Sequence, residues 1–214
     1  METRGLRLLI DASPDLRQQA LQNGIGRLDA VLLTHQHYDH VGGIDDLRPF
    51  CAYHDLLVYA NVLTARDLHN RIDYCFRENP YPGVPKLDLR TIGDSPFMID
   101  GLKITPVEVM HGRLPITAYR IGNFAYVTDA KTIAESEKEK LMGLDVLILN
   151  CLRIEQPHFA HIILPEALEL IAELKPRRTY LTHACHMLGR HEEVSALLPE
   201  GVEFAYDNEI ITID

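Results

Sequence analysis

His35-Gln36-His37-Tyr38-Asp39-His40 places three imidazoles and a carboxylate within six residues. Neutral imidazole and carboxylate are the donor types that zinc, manganese and iron accept. His35 and His37, two apart, can face one ion, while Asp39 and His40 face a second. A solvated polar loop is the plainer reading, but it gives no reason for four potential ligands in so short a span. Three later residues share one position, the polar residue that follows an apolar run. His111 follows Ile104 to Met110, Asp129 follows Tyr126-Val127-Thr128, and His183 follows Tyr180-Leu181-Thr182. Singly, each reads as a strand cap or turn residue. Together with the first loop, they point to ligands gathered where strands end, a usual place for a site in layered α/β folds.

The segments that must position these residues alternate between strand-like and helix-like. Leu6–Ile10 reads as a strand ending at Asp11, and residues Pro14 to Asn23 as a helix with Ser13 as N-cap and Pro14 in the first turn. Ala30 to Leu33 is a buried strand that delivers the histidine loop, and Gly42-Gly43 turns the backbone into a short helix over Ile44 to Leu47. A strand over Leu56 to Ala60 and a helix over Val62 to Arg71 follow, then a turn-rich loop from Asn79 to Pro85. Strands are expected over Leu87–Ile92, Phe97–Ile99, Leu102 to Val109, Thr117 to Ile121 and Phe124 to Thr128, the last two joined by a hairpin at Gly122-Asn123. Further on, the pattern gives helices over Ala134 to Leu141, Pro165 to Leu174 and His191 to Leu198. It gives strands over Val146 to Leu149, Thr179 to Leu181, Glu203 to Ala205 and Ile210 to Ile213, the last after a turn at Asp207-Asn208. The class is α/β, with sheets covered by helices.

At 214 residues with no repeat or linker, the chain reads as a single domain, 1–214. No run approaches the roughly 18 apolar residues of a membrane span. The opening Met-Glu-Thr-Arg-Gly lacks the regions of a signal peptide. Cys51, Cys75, Cys151 and Cys185 form no Cys-x-x-Cys pair, which fits reduced thiols and a cytoplasmic location. A formal charge of −10 argues against a broad nucleic-acid footprint.

His-x-His-x-Asp-His followed by Gly42-Gly43, then His111, Val127-Thr128-Asp129 and Thr182-His183, resembles the metallo-β-lactamase fold hydrolases. The likeness is greatest to the phosphodiesterase branch, the PhnP-type enzymes, with tRNA 3′-processing ribonucleases as cousins. It spans nearly the whole chain, through Leu8-Leu9-Ile10-Asp11-Ala12-Ser13-Pro14, Val31-Leu32-Leu33-Thr34-His35 and Tyr180-Leu181-Thr182-His183-Ala184-Cys185-His186. The resemblance implies an αββα four-layer sandwich. It also implies two divalent metal ions, zinc or manganese. His35, His37 and His111 would hold the first, and Asp39, His40 and His183 the second, with Asp129 bridging. A water between the ions would lose its proton and attack phosphorus. Asp39 is therefore also a catalytic candidate.

In the phosphodiesterase branch a histidine 22 residues before the Thr-His ligand is catalytic, and His161 has that spacing to His183. It would protonate the leaving alkoxide or stabilise developing charge. A free imidazole titrating near pH ~6.5 could hold that proton at working pH. His158 is a weaker candidate for the same task. Family members begin with a further strand and a glycine-rich turn, and PhnP-type enzymes carry there the cysteines of a structural zinc. By this reading part of the first strands is lacking, and His186 lacks its expected partners. A shortened sheet leaves an edge that a second subunit could cover, so a homodimer is expected.

The implied function is metal-dependent hydrolysis of a small, cyclic phosphate or nucleotide phosphodiester, with neither nucleic acid nor membrane as partner. A tRNA 3′-processing endonuclease is an alternative, but it needs a basic, glycine-rich arm that the sequence does not offer between His40 and His111. A thioester hydrolase of the glyoxalase II type shares the first loop and would lack Pro157-His158-x-x-His161. A redox or assembly role is the third class; a di-iron redox site replaces one histidine by a carboxylate, which this ligand set does not.

Overall fold

Apolar runs too short for helices pair into two sheets, and the helix-forming segments pack between successive strands. The computed structural model describes residues 1–52 and 54–213, and the chain divides into two units, Met1–Gly93 and Asp94–Asp214.

The first unit opens with β1 (Glu2–Thr3) and β2 (Leu6–Ile10), a tight antiparallel pair. Helix α1 (Leu16–Gln22) crosses to β3 (Ala30–Leu32), and the histidine loop then leads into α2 (Tyr38–Val41). A 3-10 helix (Ile44–Cys51), β4 (Leu56–Asn61), α3 (Val62–Arg71), a 3-10 turn (Asp73–Cys75) and β5 (Leu87–Ile92) complete it. Strand order is β1-β2-β3-β4-β5, with β2 to β5 parallel. Parallel neighbours require crossover connections, which α1 and α3 supply. All three residues of β3 are buried, as a central parallel strand demands. Leu33, Leu47, Val58 and Leu68 belong to one buried cluster. Asn61 ends β4 and caps α3, its side chain accepting the Thr64 N–H at 2.9 Å.

The second unit is a seven-stranded mixed sheet. Its elements are β6 (Phe97–Ile99), β7 (Leu102–His111), β8 (Leu114–Ile121), β9 (Phe124–Val127), α4 (Glu135–Glu139), β10 (Val146–Asn150), α5 (Leu164–Leu174), β11 (Arg178–Thr182), α6 (His191–Ser195) and β12 (Val202–Phe204). Strand order is β12-β11-β10-β9-β8-β7-β6. Antiparallel hairpins join β6 through β9, and β9 through β12 run parallel. Two reversals between β7 and β9 bring both strands to the same direction. The ends of β7, β9, β10 and β11 therefore lie along one edge. Helix α5 buries Leu164, Ala167, Leu170 and Leu174, the stripe of a helix lying on a sheet. Among the described residues, no helix is long and apolar enough to cross a membrane.

Two expectations fail. Helix α1 starts at Leu16 without a side-chain cap, rather than at Pro14 under Ser13. Residues 11–13 are held instead by the histidine loop: the Ala12 N–H donates to His40 O at 2.7 Å, and the Gly43 N–H to Ala12 O at 2.8 Å. A Cβ on Gly43 would lie 2.0 Å from the Ser13 carbonyl oxygen, so only glycine permits this approach. The expected strand over Ile210 to Ile213 does not form, although the turn at Asp207-Asn208 does. Ile210 is 92% exposed and so gains nothing from the pairing that burial would reward.

Candidate metal centre

In the first unit, two adjacent parallel strands end in polar residues that bind one another. Asp11 is one step past β2, and Thr34 and His35 follow β3. The buried Asp11 carboxylate accepts the Thr34 N–H at 2.7 Å, the Thr34 hydroxyl at 2.8 Å and His40 Nδ1 at 2.7 Å. Burial pushes this carboxyl above its usual range, opposed by the bonds from His40 and Thr34. A carboxylate can only accept, so the Nδ1 of His40 carries the proton and its Nε2 keeps the lone pair. The Thr34 hydroxyl spends its hydrogen on Asp11. Its oxygen lies 3.0 Å from His35 Nδ1 and accepts there, which leaves Nε2 of His35 as the donor atom for a metal. The His35 ring is 4.6 Å from His37 and 4.2 Å from His40, and Asp39 Oδ2 is 3.2 Å from His40 Nε2. The loop residues singled out in the sequence thus gather around one point. His35 and His40 are buried, whereas His37 and Asp39 are exposed.

The second unit repeats the device. His111 is the last residue of β7, inside the strand rather than after it. Its Nδ1–H donates to the Ala160 carbonyl at 2.9 Å, again leaving Nε2 with the lone pair. Asp129 accepts the Thr128 hydroxyl at 2.8 Å and lies 3.0 Å from His183 Nε2 through the same Oδ1. Asn150, fully buried at the end of β10, fixes the backbone beside it. Its amide oxygen accepts the Ala130 N–H at 2.8 Å, and its amide nitrogen donates to Ala130 O at 3.0 Å.

His161 stacks on His183 at 5.0 Å, with 24° between the rings, and sits 4.6 Å from His111. His158 lies 5.0 Å from His161, and its Nδ1 accepts the Ala160 N–H at 3.3 Å, a loop-forming role. His186 is exposed. Burial, only partly opposed by Asp129, pushes His161 down to about 4. That direction opposes holding a proton at neutral pH in the chain alone. The ordinary value applies to a solvated ring, and this one is half-buried.

Three residues at these strand ends adopt left-handed backbone angles: Asp11 at φ 60°, Asp129 at φ 55° and His183 at φ 58°. Such angles are uncommon outside glycine, and aspartate and histidine tolerate them better than most. Asp11 and Asn150 were not singled out by sequence reasoning. Asp11 obeys the same rule that found Asp129 and His183, a polar residue closing an apolar run. For Asn150 the pairing to Ala130 left no sequence signal.

Comparison with known proteins is consistent with this geometry. A family model described as "Beta-lactamase superfamily domain" matches residues 6–184. A PhnP-family diphosphatase of known structure superimposes with a TM-score of 0.88 at 36% identity, over 96% of this chain and 79% of that one. A Porphyromonas gingivalis octanoyltransferase is 44% identical over 211 residues, which is 98% of this chain but 43% of that protein. The chain thus spans less than half the length of that relative. A ribonuclease Z of Bradyrhizobium diazoefficiens is 49% identical over 49 residues, 22% of this chain and 16% of that protein. The two-sheet α/β arrangement is the fold of metallo-β-lactamase-type hydrolases. With the family model spanning most of its length, the chain belongs to the beta-lactamase superfamily, in its PhnP branch.

Proposed function

We propose that the chain is a dinuclear metal-dependent phosphodiesterase acting on a small cyclic phosphate or nucleotide. The carrying observation is the second-unit cluster, in which a non-ligand imidazole, His161, lies against the rings of His111 and His183. The donor types are in keeping with two divalent ions, zinc or manganese: His35, His37, Asp39 and His40 in the first unit, and His111, Asp129 and His183 in the second. The fit is chemical, since His40 and His111 each engage Nδ1–H and so offer Nε2. When bound, such ions supply Lewis acidity and a lowered pKa for water.

The protein's own groups do the rest. Asp11 and the Ala160 carbonyl hold His40 and His111 in the tautomer a metal needs. Asp39 supplies a carboxylate exposed enough to meet incoming solvent. His161 offers a ring N–H to a phosphoryl oxygen. An anionic substrate beside it favours the imidazolium, as Asp129 already does, and that proton then passes to the leaving oxygen. The PhnP-family neighbour is described as a diphosphatase, which likewise supports chemistry at phosphorus. In this reading the enzyme is a cytoplasmic homodimer for small substrates with no membrane partner, and the acidic charge supports the absence of a nucleic-acid partner.

A second reading has one specific observation behind it. The 44% identical relative is named for octanoyl transfer, although more than half of it lies outside the match. A thioester hydrolase would suit such a setting. The deciding assay compares a chromogenic aryl phosphodiester with an octanoyl thioester, using zinc- or manganese-loaded protein and the H161A and D129A variants. Metal-dependent cleavage of the phosphodiester, lost in both variants, supports the proposal. Turnover of the thioester alone refutes it in favour of the second reading.

A further inference from the structure

Arg153 lies three residues past β10, and its guanidinium is spent on backbone and sulfur rather than on an acid. Nε donates to Gln156 O at 2.8 Å, Nη2 to Pro157 O at 3.3 Å, and Nη1 to Met187 Sδ at 3.5 Å. Gln156 stands in the left-handed region at φ 62°, so the turn before the His158-Phe159-Ala160-His161 segment has a conformation that needs holding. That segment serves two parts of the cluster. Its Ala160 carbonyl orients His111, and its His161 stacks on His183. Downstream it is tied in by the Ile162 N–H to Ala130 O at 2.9 Å and by Leu152 N–H to Ile162 O at 3.0 Å. Upstream, the carbonyls of residues 156 and 157 are held by Arg153. A planar fork with five donors suits this task, whereas a lysine ammonium could not reproduce the geometry.

We infer that Arg153 is a positioning residue, which fixes the 156–161 turn and thereby sets both the orientation of His111 and the place of His161. The kinetic part of this inference rests on the phosphodiesterase reading; the structural part does not.

The test compares wild-type protein with R153M and R153K. Amide hydrogen exchange in the metal-free protein reads the loop without any assay of activity. In R153M the amides of Ala160 and Ile162 should exchange about tenfold or more faster, with the core strands unchanged. In the metal-loaded enzyme kcat should fall roughly 10- to 100-fold with KM nearly constant, since a displacement of about 1 Å can cost that much. Millimolar guanidinium should restore part of the rate to R153M, and R153K should not match wild type. Unchanged exchange across 154–162 overturns the inference. So does faster exchange throughout the second unit, which would make Arg153 a general stability residue. If wild-type protein cleaves no phosphodiester, the proposed function fails, while the exchange measurement still decides the role of Arg153.

Discussion

Asp11→Asn isolates what one buried carboxylate does for a neighbouring imidazole. The change is nearly isosteric, so packing around residue 11 is preserved. Oδ2 of Asp11 accepts from both the Thr34 hydroxyl and His40 Nδ1. In asparagine an NH2 group takes that place, provided that the remaining oxygen keeps the Thr34 N–H. Facing a donor, His40 must then accept at Nδ1 and carry its hydrogen on Nε2, where it can no longer bind a metal. Loss of an outer partner of this kind typically weakens metal affinity by about 10- to 100-fold. That corresponds to about 1.4–2.8 kcal/mol. Zinc titration against a chromophoric chelator at pH 7 should show one binding step weakened by this amount and the other within about threefold of wild type. If both steps match wild type, Asp11 does not set the tautomer and the reasoning is wrong.

Two further outcomes concern stability. Asn150→Ala leaves the Ala130 N–H without its acceptor beside a new cavity, and should cost about 3 kcal/mol in urea unfolding of the metal-free protein; a loss below about 1 kcal/mol would show that Asn150 does not hold the Asp129 turn. Asp29 accepts the Arg7 N–H at 2.7 Å and Arg27 Nε at 2.9 Å. Burial pushes its carboxyl up, but these donors prevail and hold it below the usual range. A lowered folded pKa gives stability that is present above the unfolded value near pH ~3.9 and is lost as pH falls through the folded one. Asp29→Asn should therefore lower the unfolding free energy at pH 7 by about 1 kcal/mol, because Arg27 is exposed and adds little. That deficit should shrink as pH drops below about 4, and a constant deficit across this range would contradict the assignment.

Much of this architecture is legible in the sequence because burial and periodicity act locally. The strands over Leu87–Ile92 and Phe97–Ile99 and the helix over Val62–Arg71 have the expected limits. In each, a strong pattern meets a clear boundary, such as the Asn61 cap. The failures have non-local causes. Ser13 is a fair cap in isolation, but Gly43 and His40, some 30 residues away, claim the backbone beside it. Ile210 to Ile213 has the composition of a strand, yet composition cannot say that its leading side chain will remain in solvent. Likewise the histidines are visible as types, while the depressed proton affinity of His161 depends on a partial burial that only the folded chain creates. Asn150 illustrates the remaining gap: an amide that substitutes for a strand partner looks, in sequence, like the end of an apolar run.

The left-handed backbone at Asp11, Asp129 and His183 restricts what these positions can become. At each position a left-handed residue follows the apolar stretch, so that stretch can vary without altering the aim of the polar group. The tolerated replacements at such angles are few: glycine, asparagine, aspartate and histidine, with β-branched residues excluded by their bulk. Three of those four are oxygen or nitrogen donors. The scaffold therefore restricts its chemical positions to an alphabet already rich in metal ligands. A descendant of this chain could exchange one polar group for another at these positions by single replacements, while the sheets beneath remain as they are.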